Sequence, residues 1–331
     1  MRVAVIGAGA IGGTIAALLY RGGHVVEVTA RGENLAALTR GPLQLQGAWG
    51  SVSAPVSAGG RLTAVPELAF VATKVQDAHA AMTGSARFLD GVPVVIVQNG
   101  LRGVDTAQQA LPASPIVGAL ALYAASYVAP ARVRVTTAGT TYLGAPSAGS
   151  EEALAMASAV LGAVMPVRVT DNFVGAQWSK LIVNQINALP AITGFSAQEV
   201  IGHRGLRLLL TRSIREAVRS ARAGGVRFAP LQGLSDGRLT ALARMPLALG
   251  QLLPAAMKRR MGATPNPGST LQSIRHGQLT EIDYLNGAVV EAGERVGIPT
   301  PVNRALVELV HEVENTHRFL APAEVLQRVS R

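Results

Sequence analysis

The chain has 331 residues, enough for two domains, because a single hydrophobic core usually stops growing near ~250–300 residues. Hydrophobic residues make up 49% and charged residues 15%, which excludes disorder, and the absence of cysteine excludes a disulfide framework, a thiolate nucleophile and a zinc–thiolate site. The formal charge of +10 is scattered, with one short run at Lys258-Arg259-Arg260, and aromatics are only 4%; this argues against a nucleic-acid partner and suits small anionic ligands.

Val3-Ala4-Val5-Ile6 reads as a buried parallel strand, followed by Gly7-Ala8-Gly9-Ala10-Ile11-Gly12 and an apolar helical run through Leu19. Residues 3–20 carry no charge, so a secretion signal or a membrane span must be weighed against this reading. The glycines at 7, 9, 12 and 13 fit a strand breaking into a glycine turn better than either, leaving the cytoplasm as the default location and no membrane partner. Residues 25–29, 66–72, 93–97 and 116–122 are further β-rich runs separated by helical or polar stretches, an alternation that predicts a doubly wound parallel sheet with crossover helices. Residues 133–143, rich in Val and Thr, suggest further strands, with a hairpin-like extension as one form, and then the β signal fades. From Asn172 the pattern becomes helical: 178–192, 196–223, a less regular 231–261, 268–296, and a last helix near 302–315. The boundary falls near residue 170, giving an α/β domain over 1–169 and an all-α domain over 170–331. Pro265-Asn266-Pro267-Gly268-Ser269 interrupts the helices, with Ser269 placed to cap the next one.

A G-x-G-x-x-G sequence alone is weak evidence, but here it follows a strand and opens a helix, which is the context of a dinucleotide-binding turn. Gly7 permits the tight turn, Gly9 lets the backbone approach a pyrophosphate, and Gly12 allows close helix–strand packing. The helix N-terminus, with Ala8, Ala10 and Ile11 completing the turn, offers amides to phosphate oxygens. An acidic residue at the end of the second strand would bind the ribose 2′-hydroxyl of NAD; this strand ends Thr29-Ala30-Arg31, and an arginine there pairs with a 2′-phosphate, so NADPH (NADP+) is the expected cofactor. Glu27 points away if strand alternation holds, and Glu33 is the carboxylate that would weaken the argument. Of the 30 basic residues only Lys74, Lys180 and Lys258 are lysine. A lysine, unlike an arginine, can be tuned by burial to give up a proton near neutrality, so retained lysines are candidates for chemistry.

With these segments in view, the chain resembles the ketopantoate reductase (2-dehydropantoate 2-reductase) family over nearly its full length. Besides the glycine turn, the resemblance is carried by Val71-Ala72-Thr73-Lys74, Gln98-Asn99-Gly100-Leu101, Trp178-Ser179-Lys180-Leu181-Ile182-Val183-Asn184, and the stretch 266–286 with Ser269-Thr270-Leu271-Gln272 and Thr280-Glu281-Ile282-Asp283-Tyr284-Leu285-Asn286. It implies a Rossmann-type N-terminal domain and an all-α C-terminal domain of the 6-phosphogluconate dehydrogenase C-terminal-like kind. It also implies NADPH-dependent reduction of ketopantoate to (R)-pantoate, a step in pantothenate biosynthesis. Lys180 then corresponds to the general acid and Glu281 to the glutamate that contacts the substrate hydroxyl and supports the lysine. Asn99, Asn184, Asn187, Asn266 and Ser269 correspond to substrate-binding positions, and Lys74, Asn99 and Ala125 to the cofactor side.

One spacing departs from the family. Asn187 follows Asn184 by three residues instead of four, and on a continuous α-helix that leaves its side chain about 60° short of a full turn. The histidines at 24, 79, 203, 276, 311 and 317 show no metal-ligand spacing, and no G-x-S-x-G is present, so neither a metal nor a serine hydrolase site is expected. Two other readings keep the same folds: reduction of another 2-keto acid or an imine, as in opine-type dehydrogenases, and a non-catalytic NADPH-binding regulator. The residues do not separate a monomer from a homodimer.

Overall fold

A computed structural model describes residues 1–146, 149–262 and 265–329. The chain divides into two compact units, Met1–Phe173 and Val174–Arg331.

Among the described residues, twelve strands belong to the first unit: β1 (Arg2–Ile6), β2 (Val25–Thr29), β3 (Leu43–Gly47), β4 (Val52–Ala54), β5 (Ser57–Gly59), β6 (Leu68–Val71), β7 (Val94–Val97), β8 (Ile116–Ala121), β9 (Ala124–Ala129), β10 (Arg132–Thr137), β11 (Thr141–Gly144) and β12 (Val167–Val169). Eight form one sheet in the order β12-β11-β8-β7-β6-β1-β2-β5, parallel except where β11 runs against β8. Strands β6, β7 and β8 are buried at every position, as central parallel strands covered on both faces must be. The helices of this unit are α1 (Ala10–Arg21), α2 (Gly32–Arg40), α3 (Val75–Thr83), α4 (Ala86–Leu89), α5 (Gly103–Ala110) and α6 (Glu151–Gly162).

A second sheet, β4-β3-β10-β9, changes the expected picture of residues 133–143. They form no single hairpin: β10 pairs with β3 and β9 in the small sheet, while β11 returns to the large one. The small sheet covers the outer side of α1, whose residues 12–19 are all buried between the two layers. This explains the charge-free stretch at the N-terminus, since a helix covered on both sides has no solvated face for a charge. The approach is close enough that a Cβ on Gly13 would stand 2.9 Å from Val133 Cγ1.

The second unit is helical: α7 (Phe173–Asn184), which begins at the last residue of the first unit, a 3-10 turn at Gln185–Asn187, α8 (Ala188–Thr193), α9 (Ala197–Gly202), α10 (Arg204–Ala223), α11 (Asp236–Arg244), α12 (Leu247–Gly250), α13 (Leu252–Arg260), α14 (Gly268–Arg275), α15 (Ile282–Arg295), α16 (Pro301–Thr316) and α17 (Pro322–Val329). The long segments expected at 178–192, 196–223 and 268–296 are each broken. His203 ends α9 and caps α10, its Nδ1 accepting from Leu206 N at 3.3 Å, and Gly277 at φ +61° lies between α14 and α15. Helix α10 is the centre, packed by α9, α11, α15, α16 and α17.

A polar cluster crosses this apolar core. Asn286 Nδ2 donates to Gln185 Oε1 and to Asn303 Oδ1, both at 2.9 Å, and the single Ser213 hydroxyl proton has the same two oxygens within reach, at 3.0 and 2.9 Å. Glu216 accepts from the backbone N–H groups of Val302 and Asn303 at 2.9 Å each, capping α16. Burial pushes the Glu216 carboxyl above the usual range, outweighing these donors. The 3-10 turn, α10, α15 and α16 are thereby fixed in register. Among the described residues, no helix is long and apolar enough to cross a membrane.

Phe173 lays its ring against Gly118 and Gly144, which face each other on β8 and β11; a Cβ on Gly118 would lie 2.1 Å from a ring carbon. Gly118→Ala should therefore destabilise the protein by about 1–3 kcal/mol and lower its thermal unfolding midpoint by several degrees, read by calorimetry.

Candidate active site

At the end of β1 the chain turns at Gly7, in the left-handed region at φ +96°. Gly7 N donates to Thr29 O at 3.2 Å and to Thr29 Oγ1 at 3.1 Å, and Ala8 N donates to Thr29 O at 3.0 Å, so the end of β2 sets the path of the turn. A Cβ on Gly7 would meet Thr73 at 2.8 Å, and one on Gly12 would lie 1.9 Å from the Gly7 carbonyl oxygen. Gly9 faces the other way, with nothing within 4 Å of its missing Cβ. It is also the N-cap of α1, and no side chain caps the first turn that Ala10, Ile11 and Gly12 begin. Asn34 braces the turn from outside: its Nδ2 donates to Ala8 O, and its Oδ1 accepts from Ala131 N, each at 2.8 Å.

Two more segments join at the same sheet edge. Gln98 Nε2 donates to Thr73 O at 2.9 Å, tying the residue after β7 to the one that packs on Gly7. Their chain neighbours, Asn99 and the half-buried Lys74 at the N-cap of α3, are thereby held near the turn. Arg31, at the N-cap of α2, is 77% exposed and pairs with Asp77 of α3 at 3.0 Å. Glu27 is buried and accepts from Thr63 N and Oγ1 at 2.7 and 2.8 Å, which keeps its carboxylate away from this edge. Ala125 lies on β9 of the small sheet, not on a strand of the large one.

In the second unit, Lys180 and Asn184 share one face of α7, being four residues apart on an α-helix. The helix then tightens into the 3-10 turn, where three residues complete a full rotation. Asn187 is therefore not displaced by its three-residue spacing: the turn returns it to the direction of Asn184. Its Oδ1 would sit 2.6 Å from a Cβ on Gly268, which occupies the left-handed region at φ +72°, so glycine is required there. This contact brings Asn187 against the segment carrying Asn266 and Ser269.

Ser269 does not cap α14. The helix begins at Gly268 with Pro267 at the cap, and Ser269 is exposed in the first turn. The turn before the helix is closed instead by Asn266, whose Oδ1 accepts from Gly268 N at 2.9 Å.

Lys180 keeps limited access to solvent, and lost hydration dominates its titration. Burial lowers its pKa to about 8, with the carboxylate of Glu281 opposing the shift. Glu281 stands at the N-cap of α15, yet no side-chain hydrogen bond caps that helix, so the carboxylate is not consumed by the helix terminus. The residues on either side of it are tied to α16. Thr280 N donates to Glu314 Oε1 at 2.7 Å, and His311 bridges Glu314 at 2.7 Å and Asp283 at 2.9 Å. Burial works to lower the His311 pKa, but the hydrogen bonds and charges of these two carboxylates raise it overall.

The N-terminal sequence profile of the family described as ketopantoate reductase PanE/ApbA matches residues 3–148, and the profile of its C-terminal domain matches residues 172–314. The chain belongs to the ketopantoate reductase family. It is an oxidoreductase acting between a carbonyl and a CH–OH group. Two relatives named 2-dehydropantoate 2-reductase, from Pyrococcus horikoshii and Archaeoglobus fulgidus, are 26% and 28% identical, each over 95% of this chain and 98% of its own length. The crystal structure of a PanE/ApbA family ketopantoate reductase from Ralstonia eutropha superposes with a TM-score of 0.79 at 28% identity, covering 96% of this chain and 99% of the other. A ternary structure of D-mandelate dehydrogenase with NADH and anilino(oxo)acetate shares the fold at 20% identity and a TM-score of 0.81, covering 96% of this chain and 99% of that one.

Sequence reasoning missed Thr29, Asn34, Thr73 and Gln98, which build the turn, and Glu314 and His311, which hold the flanks of Glu281. Thr29, Thr73 and Gln98 stand in segments read for their neighbours Arg31, Lys74 and Asn99, and Asn34, two residues into α2 and followed by apolar positions, offered only a helix-start signal.

The Lys180 ammonium should titrate near pH 8 instead of ~10.4. Removing the Glu281 charge takes away the effect that raises the lysine, so the midpoint should move lower in Glu281→Gln. Site-resolved acetylation rates against pH, with Lys258 as the reference amine, would show both; a Lys180 midpoint matching that of Lys258 would contradict the assignment.

Proposed function

We propose that this protein reduces 2-dehydropantoate to (R)-pantoate, with NADPH as hydride donor and Lys180 as general acid. The observation that carries the reading is Lys180 itself. In a chain of the ketopantoate reductase family, its amine is poised to titrate near pH 8 with the Glu281 carboxylate acting on it. The residues of the first unit fit a dinucleotide. Gly9 leaves open space beside the uncapped first turn of α1, and Gly7 and Gly12 pack too tightly for any side chain. A pyrophosphate would take the amides from Gly9 to Gly12, with Ala8, Ala10 and Ile11 around it, and Arg31 would receive a 2′-phosphate. Lys74, Asn99 and Ala125 are assigned to the cofactor side. The bound nicotinamide, in its reduced form, supplies the hydride.

The remaining chemistry belongs to the second unit. A carbonyl that accepts hydride at carbon must take a proton at oxygen. As an ammonium, Lys180 donates a hydrogen bond to that oxygen, stabilises the charge that develops, and gives up its proton as the C–O–H forms. Glu281 keeps the partly dehydrated lysine charged and accepts from the substrate hydroxyl. Asn184 and Asn187, on one face, present amides to the polar groups of the substrate. Ser269 and the Nδ2 of Asn266 would take its carboxylate, with Asn99 also on the substrate side. A small anionic keto acid is the partner this set suits. The division of labour is cofactor binding in 1–169 and catalysis in 170–331.

NADPH oxidation should be fastest with ketopantoate among a panel of 2-keto acids. Lys180→Ala should lower kcat about 10²–10⁴-fold with little change in the Kd for NADPH. Because the acid must be protonated, kcat/KM for reduction should fall as pH rises through about 8. Wild-type turnover in Lys180→Ala would remove its role as the acid, and tight NADPH binding without ketopantoate turnover would transfer the reading to another 2-keto acid or an imine.

A further inference from the structure

Arg31 and Asp77 approach the glycine turn from opposite flanks. Arg31 follows β2, Asp77 lies in the first turn of α3 after β6, and β1 runs between those two strands in the sheet. Their ion pair at 3.0 Å therefore reaches across the end of β1, where the turn 7–12 begins. Arg31 is 77% and Asp77 40% exposed, so packing does not force the pairing, and an exposed pair of this kind is weak enough for a ligand anion to open.

The two ends suit different ligands. Arg31 presents a planar cation that matches a phosphate. Asp77 presents an acceptor that matches ribose hydroxyls, the service an acidic residue at the end of the second strand gives in NAD-binding turns. Here the second strand ends in the arginine, and the carboxylate arrives from the far side of the turn. Glu33 is the carboxylate nearest to Arg31 in sequence, yet Arg31 pairs with Asp77. A 2′-phosphate, with a charge of about −1.5 to −2 at neutral pH, must displace Asp77 from Arg31 and then remain near it. A 2′-hydroxyl meets no such repulsion and can donate to the carboxylate.

We propose that Asp77 sets the cofactor preference of this protein by opposing Arg31. It occupies the guanidinium in the absence of phosphate, repels the 2′-phosphate of NADPH, and accepts hydrogen bonds from the ribose of NADH. The proposal rests on the reading that Arg31 receives the 2′-phosphate.

The test is fluorescence titration of the wild type, Asp77→Asn and Arg31→Ala with NADPH and with NADH, taking the ratio of the NADH Kd to the NADPH Kd. Asparagine keeps the shape and removes the charge. It should raise the ratio about tenfold, the scale of one like-charge contact relieved near a surface, and added salt should shrink that gain. Arg31→Ala, which leaves Asp77 alone beside the phosphate, should bring the ratio to one or below. If Arg31→Ala does so but Asp77→Asn stays within about twofold of the wild type, a change too small for a relieved charge contact, the proposal is overturned and the role of Arg31 stands. If Arg31→Ala leaves the ratio unchanged, the phosphate reading fails and the proposal with it.

Discussion

The contact between Gly12 and the carbonyl of Gly7 is the constraint on which the first unit is built. It fixes how closely α1 can rise off the end of β1, and only a residue without a side chain permits it. On its other flank Gly7 is pressed by Thr73, so the turn is wedged between its own helix and the end of the neighbouring strand. The rest of the edge follows from that wedge. Thr73 brings Lys74, Gln98 ties Asn99 to Thr73, and the uncapped first turn of α1 is left facing open space at Gly9. Three separate stretches of sequence converge because two backbones touch.

The second unit answers a different demand, that of holding a cation where hydration is scarce. Dehydration pulls the Lys180 pKa down, and the carboxylate of Glu281 opposes this without cancelling it. The balance leaves an amine that is mostly charged at neutral pH yet close to giving up its proton, the poise a general acid needs. Such a balance depends on position. Glu281 is held by ties to α16 through residues before and after it, and α10, α15, α16 and the 3-10 turn that follows α7 are joined by the buried amide and hydroxyl groups of Gln185, Ser213, Asn286 and Asn303. These hydrogen bonds are directional where an apolar core is not, and they fix helix register in the unit that carries the charge.

The large sheet was legible in the sequence because its central strands are continuous apolar runs ending in recognisable turns, and the helical second unit because apolar positions recur at helical spacing. The small sheet was not. Its strands mix buried and exposed positions instead of running apolar throughout, and the pairing that holds it, Arg132 opposite Gln44, joins residues far apart in the chain. Helix breaks were also hidden, since apolar periodicity runs on through His203 and through the tight turn at 185–187 that restores Asn187 to the face of Asn184. Of the candidate site residues, Lys180 and the glycines stood out by type and context, and Glu281 through the family segment that contains it. Asn266 and Ser269 sit three apart in one proline-rich segment that offers either as the turn-closing residue, and only the fold distinguishes them. Asp77 reads locally as an acidic residue favoured by a helix start. Its pairing with Arg31 depends on strand order, which no local pattern contains.

The burial of α1 between two layers has a consequence for how the protein is made. Synthesis delivers this helix, which carries no charge before Arg21, ahead of the strands that cover its outer side, together with the glycine turn it extends. Half of its outer cover comes from β3 and β4, and the remainder from β9 and β10, the last of which ends at Thr137. Until that residue has left the ribosome, the nascent chain exposes an apolar helix that cannot be solvated on its outer side, a state prone to aggregation and suited to chaperone capture. Asn34, which clasps the turn, also reaches its partner at Ala131 only then. A nucleotide-type turn whose sequence is complete by residue 12 thus acquires its shape only once most of the first unit exists, and a fragment truncated before Thr137 would carry the motif without the site.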